Sequence, residues 1–383
     1  MNYFDDRLAT LRANGNLRSI PAENHTDDII DLSTNDYMGL GTRHDLQQRF
    51  FADRYNRSIP MTSSASRLLA SCQREYNLLE QRLEELYNRP ALLFNSGYHV
   101  NTGLVPTLAD KHTLILADRL VHASIIDGIK LSGATFSRFP HNDLGRLERM
   151  LARDAHRYER VLIIVESVYS MDGDSPDIER LIDLKRDFPN VMLYIDEAHA
   201  FGICGPHGLG LSMASPRNES IDVIVGTLGK AGASAGAFCI TSTSIKDYLI
   251  NTARSLIFST VIPPMTAAWS RFMIDILVEM DDERNHLYET GLRLFNALNP
   301  GKNAPVTTHI QPFIVGDATR AVSLSRGLLA DGFKVLPIRT PTVPPGTERL
   351  RISLNASLDT ATIDRFKTLL QNRRDAPTGA SPK

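Results

Sequence analysis

Lys230 is set apart by its neighbours. In IDVIVGTLGKAGASAGAFCI (221–240) it lies between two apolar runs, with Gly226, Thr227 and Gly229 before it and the small residues Ala231–Gly236 after it. Small neighbours let backbone approach a bulky bound group, and desolvation moves a lysine toward nucleophilic reactivity. Read alone, the window describes more readily an exposed loop lysine beside a glycine-rich turn. Asp196 closes the apolar run of VMLYIDEAHAFG (191–202), with His199 three residues on. Strand ends of this kind form the ligand-binding edge of open α/β sheets, and an acid there can hold a cationic ring nitrogen. The alternative is an acidic cap on the next turn. In FNSGYHVN (94–101), Asn95-Ser96-Gly97 follows an apolar run and opens a helix. Its free N–H groups suit a phosphate, although a purely structural turn reads the same. Neither a Walker A motif nor GxGxxG is present, so nucleoside triphosphates and dinucleotides are not signalled.

Weaker candidates are His122 in DRLVHAS, Ser170 in ESVYSMDGD and Arg351 in RLRISL. Arg349 and Arg351 alternate along an expected strand and so share one face, which usually marks a solvated face. His99, His112 and His141 lack metal-site spacing, and no metal is expected. Cys204 and Cys239 read as small buried hydrophobes.

Such residues need a scaffold. Apolar runs at 91–94, 113–118, 134–139, 161–166, 191–196, 222–227 and 236–241 read as strands, with helical stretches such as 73–87, 143–153 and 177–187 around and between them. The alternation indicates an α/β fold with a mostly parallel sheet. The first 20 or so residues read as an amphipathic helix (Phe4, Leu8, Leu11) ending near Asn14-Gly15, and 27–32 as a strand. Pro263-Pro264 marks a boundary. Beyond it, 265–298 reads as long helices, followed by a smaller α+β unit: strands 309–315, 333–338 and 349–354, helices 318–330 and 359–371. The expected division is an arm (1–45), a large domain (46–264), a small C-terminal domain (265–372) and a disordered tail (373–383).

The 383 residues carry 42 Lys plus Arg against 44 Asp plus Glu, a net charge of −2, and 42 % are hydrophobic. That apolar content excludes a disordered chain, and the charge balance argues against a nucleic-acid partner. Three scattered cysteines give no disulfide framework and suit a reducing cytosol. The N-terminus has no apolar core of a signal peptide, and no run approaches a membrane span.

Taken together, a phosphate turn, a histidine, a serine, an acid and a lysine, in that order, resemble the fold-type I pyridoxal-phosphate (PLP) enzymes. The strings STNDYMGL, NSGYHVN, DRLVHAS, SMDGDSP, IDEAHAFGICGPHGLG, GTLGKA and STVIPP narrow this. On them the chain is identified as a member of the α-oxoamine synthase family, from about residue 17 to 370. The resemblance implies a fold-type I transferase with a large, mostly parallel sheet domain and a smaller α+β C-terminal domain. HIQPFIVGDATRA and IRTPTVPPGTERLRISLNA resemble the member that condenses L-alanine with pimeloyl-CoA, or a pimeloyl carrier protein, in biotin biosynthesis. Sister synthases and aminotransferases share the same machinery.

Carried over, the resemblance implies that Lys230 bonds the cofactor, Asp196 pairs with its ring nitrogen and His122 stacks on the ring. His199 and Ser170 are implied near the phenolic oxygen. Gly97, Tyr98 and Thr227 are implied at the phosphate, and Arg351 at the substrate carboxylate. Arg18, Asn35 and Thr342 match substrate positions. Ser259 and Thr260 are implied to reach the phosphate of a neighbouring subunit in a cytoplasmic homodimer. The family's glycine-rich segment before helix 73–87 reads here as Pro60-Met61-Thr62-Ser63-Ser64-Ala65-Ser66-Arg67, a departure that restricts positive φ near the acyl substrate.

Overall fold

The computed structural model describes residues 2–13, 16–18, 20 and 29–375. The helix end expected at Asn14-Gly15 and the tail from 376 lie outside the described residues. The described strands, in chain order, are β1 (Ile30–Asp31), β2 (Ala91–Phe94), β3 (Thr113–Asp118), β4 (Thr135–Phe139), β5 (Arg160–Glu166), β6 (Val191–Asp196), β7 (Val223–Thr227), β8 (Ala237–Thr241), β9 (Ile310–Ile314), β10 (Phe333–Lys334), β11 (Leu336–Ile338) and β12 (Arg349–Ser353). No described helix is long and apolar enough to cross a membrane.

The chain divides into two compact units. The large one comprises 36–170 and 174–284; the small one comprises 1–35, 171–173 and 285–383. The large unit is built on one seven-stranded sheet of order β2-β8-β7-β6-β5-β3-β4. Strands β3 to β7 run parallel, and β8 alone runs against its neighbours β7 and β2. Strands β3 and β7 are buried throughout and β5 and β6 almost throughout, which is why their sequences are near-continuous Val, Ile and Leu. Edge strand β4 is mostly exposed and carries Thr, Ser and Arg instead. The parallel strands deliver Asp118, Glu166, Asp196 and Thr227 to a single sheet edge.

Helix Gly97–Leu108 packs against helix Ala123–Ser132 at Gly128. A Cβ there would lie 2.6 Å from the Asn101 carbonyl oxygen and 3.0 Å from Val105 Cβ, so only glycine permits this approach. Residues 265–298 form two helices, Pro264–Leu277 and Asp281–Leu298. The boundary expected at 264 falls instead near 284. The first of these helices buries Ala267, Ala268, Met273, Ile274 and Leu277 and packs against helix Arg74–Tyr87 of the large unit. The described residues up to Asn35 likewise group with the small unit.

In the small unit, β11, β12 and β9 form an antiparallel sheet with β12 central, and β1 pairs with β10 in parallel. The single strand expected over 333–338 is thus two, each serving a different partner. Helix Thr360–Asp375 runs into the expected tail. Helix Tyr3–Ala13 buries no residue, so Phe4, Leu8 and Leu11 make no core-facing stripe. Arg349 and Arg351 do not form a solvated face: they are 5 % and 3 % exposed. Arg349 is paired with Asp172 at 2.5 Å.

Candidate active site

Lys230 sits in the loop between β7 and β8, and that loop is tied at several points. Leu228 N–H donates to Gly236 O at 3.0 Å and Ser234 N–H to Leu228 O at 3.0 Å. Trp269 Nε1 donates to Ala233 O at 3.0 Å, and Ser234 and Ser270 share a hydroxyl hydrogen bond of 2.7 Å. The helix that falls on the large unit's side of the boundary therefore braces the lysine loop. Lys230 is half-buried and its Nζ lies 2.8 Å from His199 Nε2. The other ring nitrogen, Nδ1, lies 2.6 Å from the buried Tyr37 hydroxyl.

The lysine opens onto a cavity of about 190 Å³ within the large unit. At one end stand Gly97, Tyr98 and Thr227. Ser96 caps helix Gly97–Leu108 by accepting from His99 N–H at 3.2 Å. The amides of Gly97 and Tyr98 belong to the first turn, where no intrahelical acceptor exists. The atoms nearest a Cβ built on Gly97 would be Thr227 Cβ and Oγ1, each 3.8 Å away, so the helix start and that hydroxyl stand side by side. Two N–H groups and one hydroxyl thus meet at a helix N-terminus, a donor set that suits a phosphate.

At the sheet edge Asp196 is 4 % exposed. Its Oδ1 accepts from Ala198 N–H at 2.9 Å and its Oδ2 from Asn101 Nδ2 at 2.8 Å. Glu166, on the adjacent strand, is also buried and accepts from His122 N–H at 2.5 Å. Burial, and then the Asp196 charge, push the Glu166 carboxyl up. His122 caps helix Ala123–Ser132 with Nδ1, which accepts from Ser124 N–H at 3.2 Å. Burial lowers its pKa, favouring a neutral ring. A buried acid, a flat neutral ring, a lysine amine and an anion cradle share this one cavity. That set fits a planar, cationic heterocycle bearing an aldehyde and a phosphate.

The aminotransferase class I and II family matches residues 27–368. A putative 8-amino-7-oxononanoate synthase of Pasteurella multocida is 42 % identical over 97 % of this chain and 99 % of its own. The 8-amino-7-oxononanoate synthase of Haemophilus ducreyi is 43 % identical over 95 % and 98 %. The chain belongs to the aminotransferase class I and II family, among the 8-amino-7-oxononanoate synthases. The fold is that of solved fold-type I relatives. A serine palmitoyltransferase from S. paucimobilis, described with a bound PLP–myriocin aldimine, superposes with a TM-score of 0.87 at 26 % identity, covering 97 % of this chain and 96 % of its own. The 8-amino-7-oxononanoate synthase of Francisella tularensis gives 0.75 at 28 %, covering 91 % and 98 %.

Seven of the residues read from sequence line the one cavity: Gly97, Tyr98, His122, Asp196, His199, Thr227 and Lys230. Ser170, half-buried in the loop after β5, is not among its lining residues. Ser259 lies 2.9 Å from Asn95 Nδ2, and exposed Thr260 bridges to Ser66. In the small unit, Arg351 Nη2 donates to Asn35 Oδ1 at 3.1 Å and Nη1 to Ser353 Oγ at 2.6 Å. Arg18 Nη2 donates to exposed Thr342 Oγ1 at 3.2 Å. The departing segment 60–67 holds a positive φ regardless: Ser64 stands at 47°. It is pinned by Ser63 on Tyr76 at 2.6 Å and by Arg67 on Glu80 at 2.8 Å.

Sequence reading missed Glu166, Asn101, Ser124 and Tyr37. Glu166 carried a usable signal, since it ends an apolar run as Asp196 does. Asn101 stands one helical turn beyond Gly97, but a polar residue at that spacing has no distinguishing mark.

Proposed function

We propose that this family member uses pyridoxal 5'-phosphate to condense L-alanine with pimeloyl-CoA or a pimeloyl carrier protein. The products are 8-amino-7-oxononanoate, the free thiol and carbon dioxide, in biotin biosynthesis. The observation that carries this reading is the presence of buried Asp196 and half-buried Lys230 on one cavity that a helix N-terminus also lines. The near-full-length likeness to 8-amino-7-oxononanoate synthases supports the substrate pair.

When bound, pyridoxal phosphate supplies a sink for the electron pair left at Cα as a proton or carbon dioxide departs. Lys230 holds the cofactor between turnovers. Its free amine would take the Cα proton of alanine as general base and later return one. Asp196 would pair with the ring nitrogen, its carboxylate fixed by Asn101 and the Ala198 amide. The neutral imidazole of His122 would stack on the ring. His199, fixed between Tyr37 and Lys230, would serve the phenolic oxygen, where Ser170, outside the cavity's lining, would join it. The Gly97 and Tyr98 amides and the Thr227 hydroxyl hold the phosphate.

Arg351 receives the alanine carboxylate through its planar guanidinium, with Arg18, Asn35 and Thr342 as further substrate contacts. Ser259 and Thr260 serve the neighbouring subunit's phosphate in a cytoplasmic homodimer.

Two measurements test the reading. Wild-type protein should gain a visible absorbance band with added cofactor and Lys230→Ala should not; a colourless wild type overturns the cofactor. Alanine plus a pimeloyl thioester should release free thiol. Release only with glycine or serine and another thioester would make the chain a sister synthase. Keto-acid formation without thiol would make it an aminotransferase.

A further inference from the structure

Helix Gly97–Leu108 contributes more than the phosphate cradle. Asn101, one turn past Gly97, is 2 % exposed and touches three buried polar groups. The Tyr194 hydroxyl donates to its Oδ1 at 2.5 Å. Tyr194 precedes Asp196 by two residues on β6, so both side chains leave the same face of the sheet. Burial holds the Tyr194 proton in place, leaving the hydroxyl a donor. With Oδ1 so occupied, Nδ2 is the atom that faces Asp196 Oδ2 at 2.8 Å and Ser124 Oγ at 2.9 Å, and it has two hydrogens to give. Ser124 Oγ, having accepted from Asn101, turns its own hydrogen to His122 Nδ1 at 2.8 Å. That nitrogen therefore accepts, and the proton of the neutral imidazole sits on Nε2. A flipped amide would set Oδ1 against a carboxylate and leave the tyrosine donor facing N–H.

We propose that Asn101 is a positioning residue for the reaction. Held by Tyr194, it fixes the Asp196 carboxylate that would pair with the cofactor's ring nitrogen and, through Ser124, the orientation of the His122 ring. The phosphate cradle and this lock stand four residues apart on one helix, so a single element would hold the cofactor's phosphate and orient the acid for its ring. The inference rests on the roles assigned above to Asp196 and His122.

The test is a pH titration of the visible band of the full-length holoenzyme for wild type, Asn101→Ala, Tyr194→Phe and the double variant. A misplaced Asp196 leaves less positive charge at the ring, which raises the proton affinity of the titrating group. Asn101→Ala should move the midpoint upward by about one pH unit, tenfold in affinity. Tyr194→Phe should give a smaller shift in the same direction, and the double variant should match Asn101→Ala, since the tyrosine acts only through the amide. A purely structural asparagine would lower the melting temperature and leave the midpoint where it was. An unmoved midpoint in Asn101→Ala, or additive shifts, overturns the proposal. Should Asn101→Ala not fold, Tyr194→Phe decides alone, and an unmoved midpoint there overturns it too. A wild type with no visible band defeats the cofactor reading instead, so the two failures are distinct.

Discussion

Glu166 and Asp196 stand side by side at the carboxyl ends of adjacent parallel strands, their Cα atoms in register, and both line the same cavity. Asp196 accepts two hydrogen bonds from neutral donors, whereas burial and the Asp196 charge push Glu166 toward its protonated form.

Glu166→Gln copies the protonated carboxyl. Turnover at neutral pH should stay within a few fold of wild type, and the alkaline fall caused by a second charge beside Asp196 should flatten. A pH–rate profile checks this. A loss of roughly a hundredfold at neutral pH, the scale of a missing acid–base group, would show that the ionised form is the one used. The linkage has a matching sign. A carboxyl whose folded pKa is raised stabilises the fold fully below the ordinary glutamate range, and that contribution disappears as pH rises through the raised value. Cofactor-free Glu166→Gln should therefore lose less stability than wild type over that rise, as melting curves against pH would record.

Arg351 is buried and held by Asn35 and Ser353. Arg351→Ala removes a charge-assisted hydrogen bond worth about 1.5–3 kcal/mol. The KM for alanine should rise some ten- to a hundredfold, with little change for the thioester. Steady-state kinetics varying each substrate in turn decide it; equal effects on both remove the carboxylate role.

His141 lies between Asp118 at 3.0 Å and Asp174 at 2.8 Å, with its ring edge-on to Tyr169 at 4.4 Å. Burial opposes its charge, but hydrogen bonds to both acids outweigh it and raise the pKa to about 10. An unfolded histidine titrates near 6.5. The stabilisation is therefore complete below about pH 6.5 and is lost as pH climbs through about 10. Asp118 is fully buried, and His141→Ala leaves it without its cation. The expected cost at pH 6 is about 3–5 kcal/mol. Urea denaturation of the variant at pH 6 and pH 10 measures both the cost and its narrowing.

Gly128→Ala drives a methyl group into the Asn101 carbonyl. Relief requires the two helices to part, at about 1–3 kcal/mol. Asn101 would be displaced with its helix, so cofactor affinity should fall along with the melting temperature. An alanine variant of wild-type stability would mean that the helices separate without strain.

What the sequence determined by itself was local. Apolar runs without interruption announced the strands buried on both faces, and small residues around Lys230 announced a loop that a bulky group could approach. The acid closing an apolar run gave Asp196, and a glycine opening a helix gave the anion cradle. Each signal lies within a dozen residues, inside the reach of strand and helix periodicity. Tertiary structure decided the partnerships. Asn101 and Asp196 are separated by 95 positions, and nothing about a polar residue one turn into a helix says that it faces an acid. Alternating Arg349 and Arg351 carry the pattern of a solvated face, yet β12 is the central strand of its sheet and both are buried. The run 333–338 reads as one strand because periodicity does not report which neighbour each half will pair with. Pro263-Pro264 is a true break in the backbone, but the unit that the following helix joins depends on which apolar surface lies close enough to bury it. Burial and hydrogen-bond partners belong to the packed chain, since they are set by residues far apart in sequence.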